Sequence, residues 1–120
     1  MPEPVDAFDE DLRVEVRQEG KATVLATHGE VTAFSSPALR QRIRDVTASK
    51  PGLVILDLSA TSYIDSSGVA TLVEALQIAN RYGGKLVLVG MRARVRGVFE
   101  IARLDTVFVL AGSVEEALGT

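Results

Sequence analysis

The chain has 120 residues, of which 47% are hydrophobic and 24% charged, the composition of one folded domain rather than of a disordered segment. The absence of cysteine and the presence of a single histidine, His28, exclude disulfide frameworks, thiol nucleophiles, cysteine-based zinc sites and two-histidine metal motifs; a chain of this size can bury roughly two-thirds of its unfolded surface without such staples. Of the net charge of −3, Glu3, Asp6, Asp9, Glu10 and Asp11 carry −5 and the remainder +2, so the body has no general electrostatic drive toward a nucleic-acid backbone.

Residues 1–11, acidic and with two prolines, read as a solvated, flexible leader, and residues 12–120 as the domain. Met1-Pro2-Glu3-Pro4 lacks the basic start and apolar stretch of a secretion signal, and no apolar run approaches the roughly 20 residues of a membrane span. The expected location is therefore the cytoplasm. Leu12, Val14 and Val16 alternate with Arg13, Glu15 and Arg17, which predicts a strand with one buried face. Gln18-Glu19-Gly20-Lys21 supplies a turn, and Ala22 to Thr27 resumes as the second arm of a hairpin. Ser35-Ser36-Pro37 predicts a helix start, with a capping serine and a proline in the first turn. Leu39, Ile43 and Val46 follow at helical spacing, and Lys50-Pro51-Gly52 stops the helix.

Leu53 to Leu58 is a nearly continuous apolar run of strand length, as expected of a central strand. After a short polar loop, Asp65-Ser66-Ser67-Gly68 opens a helix whose Val69, Leu72, Val73, Leu76 and Ala79 form one apolar face, and Tyr82-Gly83-Gly84 ends it. Lys85 to Gly90 is a second buried strand. Val95, Val98, Phe99 and Ala102 mark a third helix, Val107 to Leu110 a short last strand, and Val114 to Leu118 a terminal helical turn or two. The order β-β-α-β-α-β-α-β-α predicts an α/β fold: a mixed sheet, opening with an antiparallel hairpin and continuing in parallel β-α-β units with right-handed crossovers, packed with about four helices. The strands at 53–58 and 86–89 should be adjacent or nearly so, with the 69–79 helix as their crossover.

Several residue groups invite a chemical reading. Gly83-Gly84-Lys85 fails as a phosphate loop, because Leu86 stands where a magnesium-binding hydroxyl is needed and the glycines end a helix instead of opening one. Ser66 with His28 and Asp57 or Asp65 fails as a hydrolase triad, since Ile64 occupies the place of the glycine in a nucleophile elbow. Arg92, Arg94, Arg96 and Arg103 form a basic patch on the solvated side of the third helix, where Arg96 can pair with Glu100; the scarcity of aromatics argues against nucleic-acid stacking there. No carboxylate spacing specifies a metal. The Asp65-Ser66-Ser67-Gly68 segment differs, because its hydroxyls lie at the positive end of a helix dipole. One residue of the segment could simply cap the helix, yet a phosphate added here would be tolerated by the fold while adding about −1.5 to −2 charges beside Asp65. Helical-wheel extrapolation from Val69 and Leu72 points Ser67 outward more than Ser66, although Ser66 lies at the non-helical boundary.

Residues 53–68, LVILDLSATSYIDSSG, followed by VATLVEAL, resemble the central signature of bacterial STAS-domain anti-sigma factor antagonists, in which an apolar strand leads to Asp-Ser-Ser-Gly or Asp-Ser-Thr-Gly at a helix start. Gly29-Glu30-Val31 with Ser35 to Leu39 is similar to the family's Gly-Glu-Leu-Asp segment and following helix, and Arg81 to Leu86 to its helix-to-strand passage. The resemblance spans about residues 12 to 118. It implies a STAS-like fold, a phosphoacceptor at Ser66, and a partner-binding surface at Asp65, Ser66, Ser67, Gly68, Glu30 and Thr32. Thr32 departs from the family pattern, which usually has Asp there, and so alters the acidic surface beside the phosphoacceptor. The implied function is non-enzymatic and needs no cofactor or metal: the unphosphorylated protein docks on an anti-sigma factor that is a serine kinase with a histidine-kinase-like ATPase fold, phosphorylation by that partner switches it off, and a serine phosphatase restores it, so that sigma-factor-dependent transcription is regulated. No direct contact with nucleic acid or membrane is implied. The alternative is a STAS subunit or scaffold of a transporter or signalling complex without a sigma factor.

Overall fold

A strand with apolar residues on both faces needs cover from two sides, and this chain supplies that cover unequally. The computed structural model describes residues 7–8 and 12–119. Within them the elements run β1 (Ala7–Phe8), β2 (Leu12–Glu19), β3 (Ala22–Val31), α1 (Ser36–Thr47), β4 (Leu53–Ile64), α2 (Ser66–Arg81), β5 (Lys85–Val89), α3 (Ala93–Ile101), β6 (Val109–Ala111) and α4 (Val114–Leu118). The six strands form one sheet in the order of the sequence, β1-β2-β3-β4-β5-β6. The first two pairings are antiparallel and the remaining three parallel. The mixed α/β sheet expected from the sequence is thus present, and α2 is the crossover between neighbouring strands, with Leu53 opposite Lys85 and Leu56 opposite Leu88.

When parallel strands are added always on the same side, right-handed crossovers put every connecting helix on one face. Accordingly α1, α2 and α3 cover a core of Leu12, Val14, Leu25, Val54, Leu56, Leu58, Leu86 and Leu88 from the sheet, filled by Leu39, Ile43, Leu72, Val95 and Phe99 from the helices. Phe99 meets Phe108 edge-on, with ring centroids 5.5 Å apart, a preferred aromatic geometry. The opposite face is covered only in part. There α4 packs Val114 and Ala117 over Ala22, Val24, Ile55, Val87 and Val89, which is why β4 and β5 are apolar on both sides. Beyond its reach β2 turns Arg13 and Arg17 outward, giving the alternation seen in its sequence.

Four local expectations are corrected. The polar stretch 59–64 is strand, not loop: β4 continues to Ile64 through two irregularities, between Asp57 and Ala60 and between Thr61 and Tyr63, each placing an extra residue opposite β3. Bulges break the period-two pattern, and Thr61 and Ile64 still return to the core side, where Thr61 meets the buried Thr27 hydroxyl. Ser35 occupies the N-cap position of α1 without a side-chain cap, because its hydroxyl is engaged by Thr32 N–H and by the Glu30 carbonyl. The last strand starts at Val109, since Val107 and Phe108 belong to a turn closed on the Leu104 carbonyl. The third helix, expected to include Ala102, ends at Ile101, with Ala102 as its exposed C-cap.

The leader expected over 1–11 falls mostly outside the described residues; Ala7 and Phe8 pair with Val14 and Arg13 at the sheet edge. Gly83 and Gly84 end α2 in a Schellman motif, with Gly83 at φ +81° and Gly84 N–H donating 2.9 Å to the Ala79 carbonyl, so their helix-stop reading holds. No helix among the described residues is long and apolar enough to cross a membrane.

Candidate functional site

The Asp-Ser-Ser-Gly segment sits where β4 ends and α2 begins, and its first residue organises it. Asp65 is the N-cap of α2, in an extended conformation. Its Oδ1 accepts from Ser67 N–H at 2.9 Å and Gly68 N–H at 3.1 Å, satisfying two of the donors that a helix leaves open at its start. Its Oδ2 accepts from Ala33 N–H at 3.1 Å, and its own N–H donates to the Val31 carbonyl at 3.1 Å. One aspartate therefore caps the helix and ties it to the β3–α1 connection.

Because Asp65 does the capping, Ser66 is left free. It is the first residue of α2 and exposed, whereas Ser67 is half-buried; the helical-wheel argument that favours Ser67 as the outward serine is reversed at this boundary. The Ser66 hydroxyl makes no side-chain hydrogen bond among the described residues, while the Ser67 carbonyl accepts from Thr71 Oγ1 at 3.0 Å inside the helix. A group attached to Ser66 Oγ would project into solvent at the positive end of a 16-residue helix, where anions are stabilised.

Gly68 is required by packing. A Cβ at this position would lie 2.6 Å from Ile64 Cγ1, 2.7 Å from the Val31 carbonyl oxygen and 2.8 Å from Val31 Cγ1. Only glycine lets the start of α2 approach the ends of β3 and β4 this closely.

The remaining residues assigned to the surface lie on the neighbouring β3 end and turn. Glu30 is exposed and opposite Tyr63 in the β3–β4 register. Thr32 is half-buried, and its Oγ1 accepts from Phe34 N–H at 3.2 Å. Its carbonyl accepts from Ser35 N–H at 3.2 Å and Ser36 N–H at 2.7 Å. A threonine hydroxyl can close such a turn as a carboxylate does, but without the charge. The structure thus brings Glu30, Thr32, Asp65, Ser66 and Ser67 together at the ends of β3 and β4, with Gly68 buried beneath them.

Two neighbours escape the sequence reading. Phe34 is 87% exposed and Tyr63 41% exposed. An aromatic that belongs to neither the strand period before it nor the helical period after it is the available signal for Phe34.

Other candidates separate from this site. His28 stands within β3 and its Nε2 pairs with Glu15 at 2.6 Å, while the Asp57 carboxylate accepts from Ser59 N–H, so neither joins Ser66. Arg96 pairs with Glu100 at 3.5 Å, and Arg92 donates to the Ser59 carbonyl at 2.9 Å; Arg92, Arg94, Arg96 and Arg103 are exposed. No cluster among the described residues has the composition of a metal site.

The STAS domain family model matches residues 13–117. An anti-sigma-B factor antagonist of Listeria monocytogenes is 32% identical over 80 residues, covering 66% of this chain and 69% of that protein. An anti-sigma-F factor antagonist of Mycobacterium tuberculosis is 28% identical over 112 residues, covering 91% of this chain and 88% of the relative. Among solved structures, an anti-sigma factor antagonist from Mycobacterium paratuberculosis superposes with a TM-score of 0.85 at 25% identity, covering 94% of this chain and 96% of the other.

Proposed function

The chain belongs to the STAS domain family, and we propose that within it the protein is an anti-sigma factor antagonist. It binds an anti-sigma factor of the serine-kinase type when Ser66 is unmodified and releases it when Ser66 carries a phosphate. The single observation that supports this most is the division of labour at the start of α2: Asp65 satisfies the helix donors, so the Ser66 hydroxyl is exposed and uncommitted. The relatives named as antagonists of anti-sigma factors point the same way.

The mechanism follows from charge. At the helix start an added phosphate meets favourable dipole terms of about 0.3–1 kcal/mol, so the domain loses little stability. At an interface the same charge must be desolvated beside Asp65, and a mismatch there costs several kcal/mol. About 2.7 kcal/mol already lowers affinity a hundredfold. The protein contributes a hydroxyl and a docking surface; ATP and the transfer machinery come from the kinase, and a serine phosphatase resets the switch. Thr32 keeps the turn closed and leaves the surface one negative charge poorer than an aspartate would.

The test is to incubate the protein with a kinase-type anti-sigma factor from the same cell and ATP. Mass spectrometry should find phosphate on Ser66 and none on the Ser66→Ala variant. Affinity for the anti-sigma factor should fall about a hundredfold on phosphorylation with little change in melting temperature. Unchanged affinity would reject the switch, and a collapse in melting temperature would show that it acts by unfolding.

A further inference from the structure

Phe34 is 87% exposed, whereas Phe99 and Phe108 are buried in the core. An exposed phenylalanine is ordinary on a mobile loop, where ordering it would oppose any gain from burying it. This one is held. The N–H of Thr32 is bonded to Ser35 Oγ, that of Ala33 to Asp65 Oδ2, that of Phe34 to Thr32 Oγ1, and those of Ser35 and Ser36 to the Thr32 carbonyl. Every backbone donor from Thr32 to Ser36 thus has a partner inside the protein, and the fold presents the ring without packing it.

We infer that Phe34 is the apolar anchor of the surface that docks the anti-sigma factor, entering an apolar pocket on that partner beside the point where Ser66 is met. This rests on the function proposed above, and continuity with the Ser66 site selects the occupant. Asp65 holds both the turn carrying Phe34 and the helix start carrying Ser66, so the two are fixed relative to each other by one side chain. Tyr63 and Glu30, opposite each other on β4 and β3 and both exposed, lie two residues or fewer from the ends of those strands. A rigid aromatic that loses little freedom on binding, next to polar and acidic groups at a rim, has the character of an interface hot spot.

Phe34→Ala is a clean perturbation, because the turn is closed by backbone groups and by Thr32, Ser35 and Asp65. Its melting temperature should match that of the wild type. Affinity for the anti-sigma factor kinase, measured by calorimetry with a non-hydrolysable ATP analogue, should fall by about thirtyfold, the loss typical of an anchor truncation, and Phe34→Tyr should recover most of it. In Ser66 phosphorylation the change should lie in KM, with kcat retained at saturation. Wild-type affinity in Phe34→Ala, alongside lost affinity in phosphorylated wild type, would overturn the anchor and leave the switch standing. Wild-type protein that neither binds the kinase nor is phosphorylated by it would overturn both.

Discussion

Gly68→Ala sets two effects of opposite sign against each other within the candidate site. In a helix interior, alanine is favoured over glycine by about 0.8–1.0 kcal/mol. Against this stands the crowding at the start of α2, where the new methyl would lie under 3.0 Å from Ile64 Cγ1, Val31 Cγ1 and the Val31 carbonyl oxygen. The side-chain carbons can move. The carbonyl is part of β3 and accepts the Asp65 N–H, so displacing it weakens the bond that docks the helix cap. Overpacking costs typically about 1–3 kcal/mol and a weakened hydrogen bond about 0.5–1.5 kcal/mol, so the clash wins, with a net loss of about 1–3 kcal/mol. Gly97→Ala is the matched control: Gly97 is in the interior of α3, and an added Cβ there meets nothing within 4 Å. It should gain the propensity term alone, about 0.5–1 kcal/mol. Urea unfolding of the three proteins should order them Gly97→Ala, wild type, Gly68→Ala, with melting temperatures separated by roughly 3–6 °C per kcal/mol. A Gly68→Ala variant as stable as Gly97→Ala would refute the argument that the motif's glycine is demanded by backbone approach.

Asp65→Ala should destabilise by about 1–2 kcal/mol in the same assay, the range for a lost N-cap, and should raise amide exchange at Ala33, Ser67 and Gly68 together, since one carboxylate serves all three. Arg103 ends α3 at φ +59° with Leu104 N–H donating to the Phe99 carbonyl, a left-handed position that glycine fills without steric cost; Arg103→Gly should therefore stabilise by about 0.5–1 kcal/mol, read as a higher urea midpoint. Glu15 has its carboxyl pulled below the ordinary range by the hydrogen bond from Arg13, partly offset by desolvation and reinforced by the charges of Arg13 and His28. A depressed folded value means that the native state holds its proton less tightly than the unfolded chain. The resulting stabilisation is present above the unfolded carboxylate value and disappears as pH falls through the folded one. Glu15→Gln should consequently lie below wild type in stability at neutral pH, with the gap closing as pH falls through the carboxylate range; a gap that widened there would reverse the sign.

How much of the fold and the site is legible in the sequence depends on whether a periodic signal survives to the residue in question. The first half of β4 needs no alternation to be recognised: the run from Leu53 to Leu58, apolar on both faces, marks a doubly covered strand, and the packing of Val54 and Leu56 in one core cluster and of Ile55 in the other bears that out. The second half is hidden because its bulges spoil the alternation that a reader counts. The Asp-Ser-Ser-Gly segment is recognisable as a helix start, yet which residue caps it is not, since Asp65, Ser66 and Ser67 are all able caps. Only the turn of the chain at Asp65 puts its carboxylate over Ser67 and Gly68 and leaves Ser66 outside. The tie to Ala33 joins residues far apart in sequence and has no local signature at all.

The sequential strand order carries a kinetic consequence. Every strand from β2 onward pairs with the strand that precedes it in the chain, so no part of the sheet must wait for a segment synthesised much later. Each β-α-β unit can close on an edge already in place, which keeps the contacts comparatively local and favours folding as the chain emerges from the ribosome. The pairing of β3 with β4 can form before α2 is made, so the strand ends that receive the Asp65 cap are available when the helix that needs them appears.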